Sequence, residues 1–150
     1  VSVESYEFFG AEEDEQASLL AELRTLLVVP DSVAFDGPRR VRQHWTTGFA
    51  RAGWACDVPV AASNLTVSYV RRGVGVCTQL GNVARTYADL LKLERLFRDS
   101  IIGIAVEVVP TDDLSRRLGS NHASYERLTR EVRLFRDVIT APLLVLGVEY

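Results

Sequence analysis

The stretch "VSYVRRGVGVCTQLGN", Val67 to Asn82, decides how the rest of the chain is read. Val74, Val76, Thr78 and Leu80 alternate with Gly75, Cys77 and Gln79. That period of two predicts strands over 65–72 and 74–80, joined by a tight turn at Arg71–Gly73. It also places Cys77 and Gln79 on one face. Ser68 precedes Cys77 by nine residues, and the expected hairpin aims Ser68, Cys77 and Gln79 into one cleft. The side chains on offer there are a hydroxyl, a thiol and an amide.

Working outward, residues 11–29 read as a helix. Glu12 to Glu15 suit its positive end, Leu19, Leu20, Leu23, Leu26 and Leu27 recur at helical spacing, and Pro30 stops it. "DSVAFDGPRR" reads as a loop with a turn at Asp36–Pro38. A second helix is expected over 39–52, closed by Gly53, then a strand near 55–61 ahead of the hairpin. Helix 84–99 carries Leu90, Leu93 and Phe97 on one face. "IIGIAVEVVP" reads as a buried strand, 122–139 as a long helix with Tyr125, Leu128, Val132, Phe135 and Ile139 aligned, and "PLLVLGVEY" as a last buried strand. The order α–α–β–β–β–α–β–α–β predicts an α/β fold: a mixed sheet flanked by helices, in one domain spanning 1–150.

Composition narrows the class. A net charge of −3 argues against a chain that is basic throughout, but leaves room for a local basic patch. No apolar run reaches the roughly 18 residues of a membrane span, and the first residues lack the basic start and apolar stretch of a signal peptide. No membrane partner is expected. Cys56 and Cys77 fit no disulfide framework, which predicts a reducing, cytoplasmic setting. Of 17 basic residues only Lys92 is a lysine. Arg39, Arg40, Arg42, His44 and Arg51 cluster on the second helix, which reads equally as a phosphate-contacting surface or a solvated face.

The hairpin "SYVRRGVGVCTQLGN" resembles the active-site hairpin of the BglII-type restriction endonucleases, within the PD-(D/E)XK fold. Segments "FARAGW", "ADLLKLERLF", "GIAVEVVPTDDL" and "SNHASYE" extend the resemblance collinearly over about residues 40–150. It implies a restriction-endonuclease-like mixed sheet with an αβββαβ core. It also implies that Ser68, Cys77 and Gln79 occupy the family's Asp, Glu and Gln positions, so both motif carboxylates are replaced. By the same resemblance Asn82, Ser120 and Asn121 approach base edges, with Arg39, Arg40, Arg42 and Arg51 on phosphates; cap and turn roles explain Asn121 and Ser120 as well.

Hydrolysis of a phosphodiester with Mg²⁺ needs hard anionic ligands that hold the ion and activate water. A serine oxygen is neutral and a cysteine sulfur is soft. With two Cys and two His in the chain, a Cys/His zinc site is no better supplied. No metal ligand set and no cofactor is therefore expected, and Cys77 reads as a small buried apolar group. Glu107, on the strand "IAVEVV", and Asp57, on the first hairpin-side strand, are the carboxylates that could replace the lost pair, and Mg²⁺ belongs only to that alternative.

The leading expectation is a catalytically impaired pseudo-nuclease. It binds double-stranded DNA, or pairs as a homodimer or as a heterodimer with a nuclease-type subunit, in a restriction or defence system. Two alternatives stand beside it: an active Mg²⁺-dependent type II-like endonuclease with migrated carboxylates, and a protein-binding structural subunit without DNA contact.

Overall fold

The computed structural model describes residues 2–10 and 13–149, with side chains of 13–16 left aside. Its elements in chain order are β1 (Ser2–Phe9), α1 (Glu13–Leu27), α2 (Asp31–Ala34), α3 (Pro38–Arg51), β2 (Ala55–Pro59), β3 (Thr66–Arg71) and β4 (Val74–Thr78). Then come α4 (Val83–Arg98), β5 (Ile104–Pro110), α5 (Asp112–Leu118), α6 (Tyr125–Leu134) and β6 (Leu143–Glu149). Six strands form one sheet in the order β1-β6-β5-β4-β3-β2. The β4–β5 and β5–β6 pairs are parallel, and the others are antiparallel.

Local chemistry explains the elements that position the site. Arg72 and Gly73 both take positive φ, 47° and 76°, which is the backbone a two-residue hairpin turn requires. Pro38 opens α3 directly after Gly37 at φ 90°, a fixed φ inside the helix and a free one outside it. The Asn82 side chain accepts from Ala84 N at 2.8 Å and caps α4. The parallel strands β5 and β6 are apolar almost throughout, because helices cover both of their faces.

Two cores result. On one face Leu23 and Leu27 of α1 and Val41, Trp45 and Phe49 of α3 pack on Tyr69, Val76, Val106 and Leu144. Trp45 donates to Leu27 O at 2.9 Å and so ties α3 to the end of α1. On the other face Leu90, Leu93 and Leu96 of α4 and Leu128 and Val132 of α6 pack on Cys77, Ala105, Leu143 and Val145. Among the described residues no helix is long and apolar enough to cross a membrane.

The expected α–β–β–β–α–β core is present as α3 to β5. Four differences have physical causes. Residues 2–9 form edge strand β1, although a register shift between Val3 and Ser5 blurs its alternation. The expected loop after Pro30 contains α2. Thr111, whose hydroxyl accepts from Leu114 N at 3.2 Å, starts the unforeseen α5. The long final helix stops at Leu134, so Phe135 lies in the turns beyond it and Ile139 in the irregular chain that follows. Residues 11 and 12 of the expected first helix fall outside the described residues.

Candidate functional site

The hairpin carries its polar positions to the C-terminal end of β4, and there they part company. Cys77 lies opposite Glu107 in the β4–β5 register, and Glu107 lies opposite Val145 of β6. This row faces α4. Asp89 comes down from α4, and the potential ligand atoms of Cys77, Asp89 and Glu107 all lie within 4.8 Å of one another. Gln79 joins them: its Nε2 donates to Asp89 Oδ2 at 3.2 Å and its Oε1 accepts from Gly81 N at 3.1 Å. Lys92 Nζ lies 2.5 Å from Asp89 Oδ1 and donates to Thr66 O at 2.8 Å.

The electrostatics follow from burial. Cys77 is 1% exposed and Glu107 0%. Burial, then the charges of Glu107 and Asp89, pushes the Cys77 thiol well above its ordinary value. Burial, then Asp89, pushes the Glu107 carboxyl well above the usual range. Burial works against the charge of Lys92, but the hydrogen bond and charge of Asp89 outweigh it, and its ammonium is strengthened. Neither Glu107 oxygen has a hydrogen-bond partner. The cluster therefore holds one ion pair, Asp89 with Lys92, beside two groups that burial keeps neutral. It is closed to a phosphodiester.

Ser68 lies elsewhere. It borders a cavity of about 220 Å³ on the α3 side, with Arg42, Thr46, Cys56, Asp57, Tyr69 and Thr78. What the Cys77 thiol meets of Ser68 is its backbone. The expected common cleft for Ser68, Cys77 and Gln79 is thus divided between the two faces of the sheet. The cause is a roll of β3: Val67 and Tyr69, which strict alternation would put together, pack into different cores. Asp57, at the matching level of β2, takes a φ of 51°. Tyr69 stacks on Phe49 at 4.0 Å, and its hydroxyl lies 3.0 Å from Thr46 Oγ1.

The two carboxylates expected as substitutes are also apart. Asp57 is exposed on β2 and Glu107 buried on β5, with β3 and β4 between them. Three strand spacings make roughly 14 Å, too far to share one ion. Arg39, Arg40, Arg42 and Arg51 are all exposed on α3, and so is His44, which suits a phosphate-contacting surface and a solvated face alike. Arg40 pairs with Asp36 at 3.5 Å, and Arg40, His44 and Arg51 border a second cavity of about 430 Å³.

The two loops expected at base edges do meet. Val83 N donates to Asn121 O at 3.0 Å, Ala123 N to Gly81 O at 2.9 Å, and Asn82 bridges His122. Ser120 and Asn121 are exposed. The Asn82 amide oxygen, however, is engaged in capping α4.

Sequence reasoning passed over Asp89 and Lys92. A signal existed: the chain's one lysine stands three residues after an aspartate, and both are interleaved with Leu90 and Leu93, which face the sheet.

Comparison with known proteins places this geometry. The family "Restriction endonuclease BglII/BglIII" matches residues 7–148. A crystal structure of restriction endonuclease BglII complexed with a DNA 16-mer superposes with a TM-score of 0.71 at 12% identity, covering 97% of this chain and 78% of that one. Free BglII gives 0.68 at 13% identity, covering 97% and 80%. No curated protein sequence matches. At such identities the likeness speaks for the fold, a six-stranded mixed sheet flanked by helices.

Proposed function

We propose that this chain, which belongs to the BglII/BglIII restriction-endonuclease family, binds duplex DNA and no longer cleaves it by the Mg²⁺ route. One observation carries the reading. The position that resembles the family's catalytic glutamate holds Cys77, a thiol 1% exposed and kept neutral by burial, while Ser68 borders the opposite face. A hard divalent ion poised on a phosphate needs at least two charged oxygens facing the same open space. The cavity beside Ser68 offers one, from Asp57.

DNA contact falls to the exposed arginines of α3, with Arg42 at the rim of that cavity. Guanidinium groups suit phosphate oxygens geometrically. The structural neighbour solved with a DNA 16-mer supports a nucleic-acid role for this architecture. A place in a restriction or defence system accompanies the reading.

The test is a titration of labelled duplex in chelator at several salt concentrations, beside a plasmid-nicking assay with Mg²⁺ and Mn²⁺. Binding without metal is expected, with log K falling against log salt. Changing Arg39, Arg40, Arg42 and Arg51 together to Ala should flatten that slope by about 0.9 for each phosphate that is no longer neutralised. Nicking by the unmodified chain that requires metal refutes the loss of cleavage. Absence of binding at low salt refutes the DNA role.

Pairing with a second subunit is a further reading, and one observation favours it. Leu91, Phe135 and Val138 are exposed together around a groove of about 130 Å³ whose lining is apolar. Such a patch marks an interaction surface. Light scattering across a concentration series tests self-pairing, and a mass fixed at one chain throughout removes it.

A further inference from the structure

Among the described residues, Glu107 is the one side chain with two buried polar atoms that lack a hydrogen-bond partner. It is fully buried at the centre of the sheet, and neither of its oxygens has a partner. A buried carboxyl in that condition is costly, and native structures rarely keep one without cause. Its carboxyl lies near two other ligand atoms, the Cys77 sulfur and an Asp89 oxygen. We propose that Cys77, Asp89 and Glu107 form a closed site for a thiophilic divalent cation, with Zn²⁺ as the ion that fits.

The three donors come from three separate elements. Cys77 and Glu107 stand side by side in the β4–β5 register, and Asp89 closes over them from α4. Strands and a packed helix hold donors more firmly than loops do. Tetrahedral Zn²⁺, with bonds of about 2.0–2.3 Å, sets its donors roughly 3.3–3.8 Å apart. The donor atoms already lie within 4.8 Å of one another, about 1 Å beyond that spacing. A water molecule completes the fourth position.

Outer contacts also suit a ligand. Asp89 is oriented from both sides, by Lys92 Nζ on Oδ1 and Gln79 Nε2 on Oδ2. Hydrogen-bonded support of this kind is what ligating carboxylates ordinarily have. Charge balances as well. Thiolate and two carboxylates, the divalent ion and the Lys92 ammonium sum to zero, the condition a buried ionic site needs. Without the ion, the thiol and Glu107 must each keep a proton to reach the same neutrality. Loading the site therefore releases two protons to solvent and forms one sulfur–zinc and two oxygen–zinc bonds, with no oxidation or reduction. Sulfur selects against Mg²⁺, so this site is separate from hydrolytic chemistry and independent of the DNA-binding reading.

The experiment uses the reduced full chain, stripped of metal with chelator. Co²⁺, and separately Zn²⁺, is added to the folded chain and also supplied during refolding from urea, so that slow entry into a closed site cannot hide binding. One equivalent of Co²⁺ should give a thiolate-to-cobalt charge-transfer band that Zn²⁺ displaces, and Zn²⁺ should raise the melting temperature. Cys56→Ser should keep the band and Cys77→Ser should lose it. Glu107→Gln, which preserves shape, should weaken Zn²⁺ binding by at least about tenfold, with circular dichroism confirming the fold. No band and no thermal shift under either protocol overturns the site. A band that follows Cys56 instead of Cys77, or an affinity indifferent to Glu107→Gln, also overturns it.

Discussion

Replacing Glu107 with glutamine should stabilise the metal-free chain at neutral pH, and the gain should disappear in acid. Burial, then the charge of Asp89, holds the Glu107 carboxyl protonated far above its ordinary range. The folded chain keeps a proton that the unfolded chain has released, so stability falls as pH climbs above about 4.3. It continues to fall until the folded carboxyl itself ionises. The ceiling of the effect at pH 7 is set by the unfolded chain. Keeping a group of ordinary pKa about 4.3 protonated there spans between two and three units at roughly 1.36 kcal/mol each, on the order of 4 kcal/mol at most. Glutamine carries no such cost and has nearly the same shape. For a chain of 150 residues that ceiling corresponds to a rise of roughly 7–15 °C in melting temperature. Urea and thermal unfolding of both chains in chelator, at pH 4.5 and pH 7.5, measures it. A difference between the two chains that does not change with pH refutes the reasoning.

Cys77→Glu restores the residue the family resemblance implies, but should destabilise the metal-free chain by several kcal/mol, because a third carboxyl would be buried against Asp89 and Glu107; denaturant midpoints would show it. Asn82→Ala should cost about 1 kcal/mol, as removal of an N-cap ordinarily does. It should leave duplex affinity unchanged, since the amide oxygen is engaged by Ala84 N; melts and a binding titration read the two effects separately. Glu94 accepts from Thr140 N, Ala141 N, Thr140 Oγ1 and Arg98 Nε at 2.7–2.9 Å. Burial opposes its charge, but the hydrogen bonds from Ala141, Thr140 and Arg98 outweigh that and lower its pKa. Its contribution should be complete above the unfolded value and disappear as pH falls through the lowered folded one. Glu94→Gln should cost about 1.5–3 kcal/mol at pH 7 and narrow the gap between the pH 7 and pH 3 urea midpoints.

The hairpin was legible because its signals agree. Arg72 and Gly73 supply the turn, and the valines of β4 keep a period of two. β5 and β6 were legible because strands covered on both faces are nearly all apolar. β1 was not, since Ser5 and Glu7 interrupt its apolar pattern and a register shift breaks it further. The site was half legible. Cys77 and Gln79 share the predicted face, but the roll that sends Ser68 to the other side arises from tertiary packing, with Val67 drawn to one core and Tyr69 to the stack on Phe49. Asp89 and Lys92 stayed hidden because a helical stripe is recognised by its apolar members, and charges interleaved with them are read as facing water.

The position of Lys92 gives the molecule a built-in reporter. It is the chain's one lysine, so apart from a terminal amine it is the only primary amine that an acylating reagent can find. Its ammonium is held between Asp89 and Thr66 O, and only a free, deprotonated amine acylates. Labelling at Lys92 should therefore be slower than at a free amine, and Asp89→Asn, which removes the paired charge, should speed it. The remaining lysine-or-arginine positions are all arginine, so no second side-chain amine competes.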